Sequence, residues 1–209
     1  RTPRMDLRRK CVVIMCADNG VVAEGISQSG QDVTQIITEN LSNGTSTVCH
    51  MARAAGAEVI PVDIGVASEV KGERILRRKV AYGTKNLYRE PAMTRAQAVR
   101  AIEIGIETAY LCKMQGYDIV ATGEMGIGNT TTTAAVVAAL LRAPAELVTG
   151  RGSGLTTEAL ERKIHVVTQA IEQWQPDQHD PVDILSKVGG FDLCGLTGMF
   201  LGGAACGLP

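Results

Sequence analysis

Aromatic side chains are scarce: two Phe, four Tyr and one Trp in 209 residues. Proteins that grip single-stranded nucleic acid stack its bases on aromatic faces, and this chain has few to offer. Neither sign of charge dominates. Lys and Arg number 21 against 22 Asp and Glu, a formal charge of −1, so nucleic acid and anionic membranes gain no electrostatic attraction. Long apolar runs are missing too. The longest unbroken one, Ala134 to Leu141, is eight residues, against roughly 18 for a spanning helix. The uncharged stretch from Leu193 to Pro209 runs for 17 residues but contains five glycines, and reads as a buried segment of a soluble protein.

Chemical signatures are missing as well. The cysteines (Cys11, Cys16, Cys49, Cys112, Cys194, Cys206) form no C-x-x-C and pair with none of the three histidines at metal-ligand spacing. They lie in apolar runs, where cysteine acts as a small hydrophobe. No strand ends in paired acids, as a magnesium-assisted phosphoribosyl pyrophosphate site requires, and G-x-S-x-G is absent; hydrolase and metalloenzyme readings recede. No signal peptide is visible in a sequence that opens on Arg1. The expectation is a reduced, cytoplasmic protein without a metal.

What is present alternates between two periods. Cys11–Asp18 (CVVIMCAD), Glu58–Gly65 (EVIPVDIG) and Tyr117–Thr122 (YDIVAT) are apolar runs of the kind that form strands buried on both faces. Between them lie helical patterns at 33–41, at 46–55, from Thr94 (as N-cap) toward Gly116, and at 130–141. A further helix places Leu160, Ile164, Val167 and Ile171 on one stripe, and another spans 191–206. This is an α/β pattern: a parallel sheet covered by helices. Residues 66–90, with six basic side chains, read as a solvated mobile loop or hairpin, and 173–181 as a polar connector anchored by Trp174.

The sharpest motif is Gly123–Thr133, GEMGIGNTTTT, between the strand YDIVAT and the helix AAVVAALL. A glycine-rich strand-to-helix corner presents backbone N–H groups and the positive end of a helix dipole to an anion. Gly126 and Gly128 allow close approach, Asn129 or Thr130 caps the helix, and the following threonines add hydroxyls. Phosphate is the natural guest, although an unliganded capped turn has the same outline. No Lys precedes the threonines, so this is not a Walker A loop, and G-x-G-x-x-G does not match. Glu124 beside such a site faces a sugar hydroxyl, a ring nitrogen or a developing cation, or else serves as a salt-bridge or helix-dipole partner. A second cluster, Gly150-Arg151-Gly152-Ser153-Gly154, forms either a second backbone nest with Arg151 as clamp or an ordinary turn. Lys163 on the next helix either reaches back toward an anion or is a solvated surface lysine. Asp18-Asn19-Gly20 closes the first strand, at the end where open α/β sheets bind ligands; Asp18 either joins that crevice or orders the loop.

These residues resemble one family. ADNGVVAEGIS (17–27), GEMGIGNTTTTAA (123–135), GRGSGLTTEALERKI (150–164) and DPVDILSKVGGFD (180–192) look like the nicotinate-nucleotide–dimethylbenzimidazole phosphoribosyltransferases of cobalamin biosynthesis, with the motifs in matching order across nearly the whole chain. The resemblance implies a Rossmann-like parallel sheet with helices on both faces and a small helical domain largely outside this sequence. Residues 1–209 would then be a single nucleotide-binding domain, a fragment lacking N- and C-terminal helical segments. It implies a cytoplasmic homodimer without cofactor or metal. That enzyme moves the phosphoribosyl group from nicotinate mononucleotide to 5,6-dimethylbenzimidazole or a related base, with inversion at the anomeric carbon.

Carried over from the resemblance, Gly126, Ile127, Gly128, Asn129, Thr130, Arg151, Gly152 and Lys163 would belong to the nucleotide and phosphate site, with Glu124 there as the catalytic residue in an electrostatic or positioning role. Asp18, Gln28, Ser29 and Met125 belong to the acceptor pocket. The family's general base lies in a C-terminal segment beyond this sequence. The loop ISQSGQDVT also lacks the aromatic and proline that many relatives carry near Ser29-Gly30. Two other readings stand beside the enzyme: a non-catalytic nucleotide-binding module or subunit, and a dimerisation domain using Gly198-x-x-x-Gly202.

Overall fold

The computed structural model describes residues 7–209. Its sheet has four parallel strands, β1 (Lys10–Ala17), β2 (Ala57–Gly65), β3 (Leu76–Arg77) and β4 (Ile119–Met125), in the order β3-β2-β1-β4. The central β1 pairs along its length with both neighbours, Val13 opposite Ile60 on one side and Thr122 on the other. The helices are α1 (Asp32–Asn43), α2 (Thr47–Ala54), α3 (Arg95–Met114), α4 (Asn129–Leu141), α5 (Ala145–Val148), α6 (Thr157–Trp174), α7 (Pro181–Val188) and α8 (Phe191–Cys206), with a short 3₁₀ turn at Gly20–Glu24.

Alternation along β1 sorts these helices onto two faces. Val13, Met15 and Ala17 join the larger core with residues of α3, α4, α6, α7 and α8. Ile14 and Cys16 face the other way, onto Leu41 of α1 and Cys49 of α2. Hence the unbroken apolar run: β1 has no solvent face. The expected helices on both faces of a parallel sheet are present. All six cysteines are free and five are buried, in keeping with their reading as small hydrophobes.

Local chemistry accounts for the element ends. Thr94 caps α3 in a reciprocal box, its Oγ1 accepting from Gln97 N at 3.2 Å while Gln97 Oε1 accepts from Thr94 N at 2.9 Å. Trp174 does anchor the polar connector, donating from Nε1 to the Leu87 carbonyl at 2.7 Å. Asp180 caps α7 through the amides of Val182 and Asp183.

Three expectations change. The basic stretch 66–90 holds no hairpin; β3 within it runs parallel to β2, with Val62 opposite Leu76. Its Lys79 is drawn inward by the buried Asp63, whose carboxylate lies 3.1 Å from Nζ. The buried face of α6 centres on Lys163, Val166, Val167 and Ala170, one residue round from the predicted stripe, because Lys163 is turned inward. Finally, Gly198 and Gly202 pack within the chain. A Cβ on Gly198 would stand 2.0 Å from the Ile102 carbonyl oxygen, and one on Gly105 2.1 Å from that of Gly195. The glycine stripe therefore serves the α3–α8 crossing, and α3 already covers it.

Gly198→Ala should lower the unfolding free energy by at least about 2 kcal/mol, since backbone must move to admit the methyl. Gly150→Ala, with nothing within 4 Å of the added atom, should stay within about 0.5 kcal/mol. Urea unfolding of the two variants checks both.

Candidate functional site

The strand order reverses between β1 and β4: β2 and β3 lie on one side of β1, β4 on the other. At such a switch point the connections leave in opposite directions and open a crevice beyond the strand carboxyl ends. A cleft of about 180 Å³ lies there, walled by Ile26 and Ser27 after β1, by Met125–Thr130 from β4 into α4, by Arg151–Ser153 and Leu155, and by Lys163.

The strand β4 runs to Met125, three residues further than its sequence suggested, so Glu124 and Met125 are strand residues. Gly128, not Asn129 or Thr130, is the N-cap of α4, at φ +92°. Its glycine identity has a backbone cause, since that region favours glycine. At Gly126 the cause is packing: a Cβ there would fall 1.9 Å from the Ala17 carbonyl oxygen. The corner is pressed against the end of β1.

That packing uses up much of the expected amide nest. Ile127 N donates to Thr34 Oγ1 at 3.0 Å, Asn129 N to the Gly126 carbonyl at 3.0 Å and Thr130 N to Asn129 Oδ1 at 2.8 Å. Gly128, Gly152 and Ser153 keep amides without a partner among the described residues. Of the four threonines only Thr130 lines the cleft; Thr131 and Thr132 are buried and Thr133 is exposed.

The dominant charge is Lys163. It is 1% exposed, and Nζ donates to Thr130 Oγ1 at 2.6 Å and to the Gly150 carbonyl at 3.1 Å. Among the described residues no carboxylate lies within 4.0 Å of it. Burial holds its pKa below the usual lysine value. An ammonium in that state leaves much of its desolvation cost unrecovered, and a bound anion would recover it. Gly152, at φ +55°, leaves the room: a Cβ there would come 3.7 Å from Nζ. Arg151 also lines the cleft, but its guanidinium is tied to the Leu155 carbonyl at 2.8 Å and to Thr157 Oγ1 at 3.1 Å.

The remaining predicted residues separate. Met125 lines the cleft. Glu124 does not; its half-buried carboxylate accepts from Asn129 Nδ2, which does, and burial raises its pKa. Glu124 has no salt bridge among the described residues. Asp18 is buried and accepts from Ala67 N at 2.8 Å, which makes it a loop-ordering residue. Gln28 reaches across the mouth to the Gly154 carbonyl at 2.9 Å, and Ser29 N bonds Ser27 Oγ. Neither Gln28 nor Ser29 is on the cleft wall; Ile26 and Ser27 take that place. Ser153 and Leu155, within and just past the second glycine cluster, also escaped the sequence reading, because nothing marks which face of a short loop turns inward.

A glycine-rich corner beside a buried ammonium at the switch point of a parallel sheet defines an open α/β protein with a positively charged cleft at its strand ends. The comparisons narrow this class. The phosphoribosyltransferase family model DBI_PRT matches residues 1–209, and the chain belongs to that family. It is 49% identical over 201 residues to the nicotinate-nucleotide–dimethylbenzimidazole phosphoribosyltransferase of Acetivibrio thermocellus, covering 96% of this chain and 57% of that protein. To the enzyme of the same name from Clostridium tetani it is 45% identical, covering 98% and 56%. The crystal structure of CobT from Thermus thermophilus superimposes with a TM-score of 0.93 at 41% identity, covering 98% of this chain and 61% of that one. The chain thus spans a little over half the length of the curated relatives it matches.

Lys163→Met separates the two consequences of a buried ammonium. Its unfolding midpoint in urea should equal or exceed that of the parent chain, while affinity for inorganic phosphate falls by roughly ten- to a hundredfold, the loss of one charge-assisted hydrogen bond. The pH dependence has a definite sign. The folded-state pKa lies below 10.5, so the folded chain binds fewer protons than the unfolded one in the alkaline window. The parent should therefore gain stability relative to Lys163→Met as pH rises toward 10.5. Equal pH slopes for the two proteins would contradict the assignment.

Proposed function

We propose that this chain forms the nucleotide-binding part of an enzyme that transfers phosphoribosyl from nicotinate mononucleotide to 5,6-dimethylbenzimidazole or a related base, giving α-ribazole 5′-phosphate and nicotinate. The observation that carries the reading is Lys163, a buried ammonium with no carboxylate partner among the described residues, on the wall of the cleft at the strand ends. The names of the relatives support the substrate pair. A cytoplasmic homodimer belongs to the same reading and rests on the family resemblance.

In this reading the 5′-phosphate sits on Lys163 Nζ and Thr130 Oγ1, with the free amides of Gly152 and Ser153 beside it. Anchoring the phosphate fixes the sugar, so binding energy remote from the breaking bond aligns it. The bond from the anomeric carbon to the pyridinium nitrogen breaks, and its electron pair stays on nicotinate, which leaves without a positive charge on nitrogen. The sugar gains oxocarbenium character. An azole nitrogen of the acceptor attacks from the opposite face, inverting the centre, and the acceptor loses its N–H proton to a base. No metal is called for, because the leaving nitrogen already carries the charge that drives departure. Glu124 acts as a positioning residue: it holds Asn129 at the cleft and places negative charge behind the developing cation.

A second reading has its own observation. Among the described residues, Lys163 and Arg151 are the ionisable side chains on the cleft wall, and no carboxylate or imidazole joins them there. On that ground the chain is a nucleotide-binding module whose catalytic base comes from elsewhere.

Calorimetry of the 209-residue chain with nicotinate mononucleotide, and release of nicotinate after adding dimethylbenzimidazole, separate the readings. Binding with turnover supports the enzyme; binding without turnover selects the module; absence of binding overturns both. In a turnover-competent protein, Glu124→Gln should lower kcat by about ten- to a hundredfold with little change in KM. It should also remove an acidic limb of the pH profile. Burial raises the Glu124 pKa, so that limb in the parent should lie above the usual carboxylate range. A pure KM effect would contradict the role.

A further inference from the structure

Behind the cleft, two fully buried polar side chains meet, each with an acceptor oxygen left unpaired. Asn19 follows β1 and Asp192 is the second residue of α8; both are 0% exposed. Asn19 Oδ1 and Asp192 Oδ2 have no hydrogen-bond partner among the described residues. They converge at Gly190, the N-cap of α8, where a Cβ would stand 2.2 Å from Asp192 Oδ1 and 2.6 Å from Asn19 Oδ1. The other end of the Asn19 side chain touches the glycine corner. Its Nδ2 donates to the Ile127 carbonyl at 3.5 Å and lies 3.2 Å from where a Gly126 Cβ would stand. Asn19 is thus a wedge between the start of α8 and the loop that leads into α4.

Bare acceptor oxygens do not sit together in a buried space; a proton or a rotated amide must intervene. If Asp192 keeps its proton, it donates to Asn19 Oδ1, and Nδ2 stays on Ile127. If Asp192 ionises, the carboxylate draws Nδ2 round to itself, and Oδ1 is left against the Ile127 carbonyl, oxygen facing oxygen. The titratable groups acting on Asp192 from its surroundings are few. Glu124 of β4 raises it electrostatically. Cys16 of β1 and Cys194 of α8 are thiols whose own pKa values its charge raises. Asp63 of β2 is already paired with Lys79. On α3, Arg100 is engaged with Glu103 and Glu107 at the surface, and Lys113 donates to the Gly207 carbonyl. Among the described residues no cation lies within 4.0 Å of Asp192. Burial, with Glu124 adding to it, pushes Asp192 up to about 7 against hydrogen bonds from Leu193 N and the Asn19 side chain that favour the ionised form.

We propose that Asp192 and Asn19 form a proton-dependent positioning couple for the glycine corner: protonated Asp192 orients the Asn19 amide onto the Ile127 carbonyl and fixes Gly126–Asn129, and loss of that proton turns the amide and releases the corner. Its functional weight rests on the cleft being a mononucleotide site, but its test needs no ligand.

The 209-residue chain, carrying ¹³C at aspartate carboxyls and ¹⁵N in the backbone, is titrated by NMR without ligand. The Asp192 carboxyl resonance should titrate near 7, and the amides of Gly126, Ile127 and Gly128 should shift with the same midpoint. Asp192→Asn, nearly isosteric with the protonated acid, should abolish the loop titration and fix those amides at their low-pH positions. Glu124→Gln should keep the loop titration and move its midpoint down, since a nearby negative charge has gone. The proposal is overturned if the loop amides stay still through the Asp192 titration, if Asp192 is ionised throughout, or if the loop titration survives in Asp192→Asn. In a second arm, the parent should lose nicotinate mononucleotide affinity several-fold above that midpoint relative to Asp192→Asn. Failure of the nucleotide to bind at any pH, with the loop titration intact, refutes the nucleotide reading and leaves the couple standing.

Discussion

A buried ammonium without a carboxylate partner among the described residues governs the arrangement around the cleft. Lys163 reaches inward from α6, past its own apolar neighbours, to the hydroxyl of Thr130 and the carbonyl of Gly150. Those two contacts join three separate stretches of chain: α6, the first turn of α4 and the second glycine cluster. The dipolar contacts offset part of the cost of burial and leave the positive charge uncancelled. An anion on that floor would recover the remaining desolvation cost.

The sheet explains why this charge stands where it does. Because β1 is central and apolar on both faces, helices must cover both sides, and the crossovers diverge at the β1–β4 boundary. The crevice there is a product of topology before any functional residue is placed in it. The glycines of the β4–α4 corner are then accounted for by backbone packing: Gly126 makes room for the end of β1, and Gly128 takes a positive φ at the start of α4. They bring the corner close enough for Asn129 and Thr130 to share the cleft with Lys163.

Much of this was legible in the sequence. The strands β1 and β2 and the helices α3 and α8 announced themselves through unbroken apolar runs, the Thr94 cap and the charge-free stretch after Leu193. The glycine corner and Lys163 were marked by the anion-binding pattern and by the family motifs. What escaped notice depends on long-range geometry. Periodicity favoured Ile164 as the buried position on α6, since no local rule anticipates an inward lysine. Gln28 and Ser29 were expected in the acceptor pocket, but the path of the loop puts Ile26 and Ser27 on the cleft wall. Asp192 was unremarkable as the last letter of a matching motif; its meaning emerges only where α8 meets Asn19.

Adjacent residues on α6 serve opposite sides of the cleft. While Lys163 points to the floor, Arg162 donates to the carbonyl of Gly25, just before the wall residues Ile26 and Ser27. Floor and wall are therefore bolted to a single lever. A tilt of that helix would shift the cation and its contact with the opposite rim together, which couples the depth of the recess to the width of its entrance.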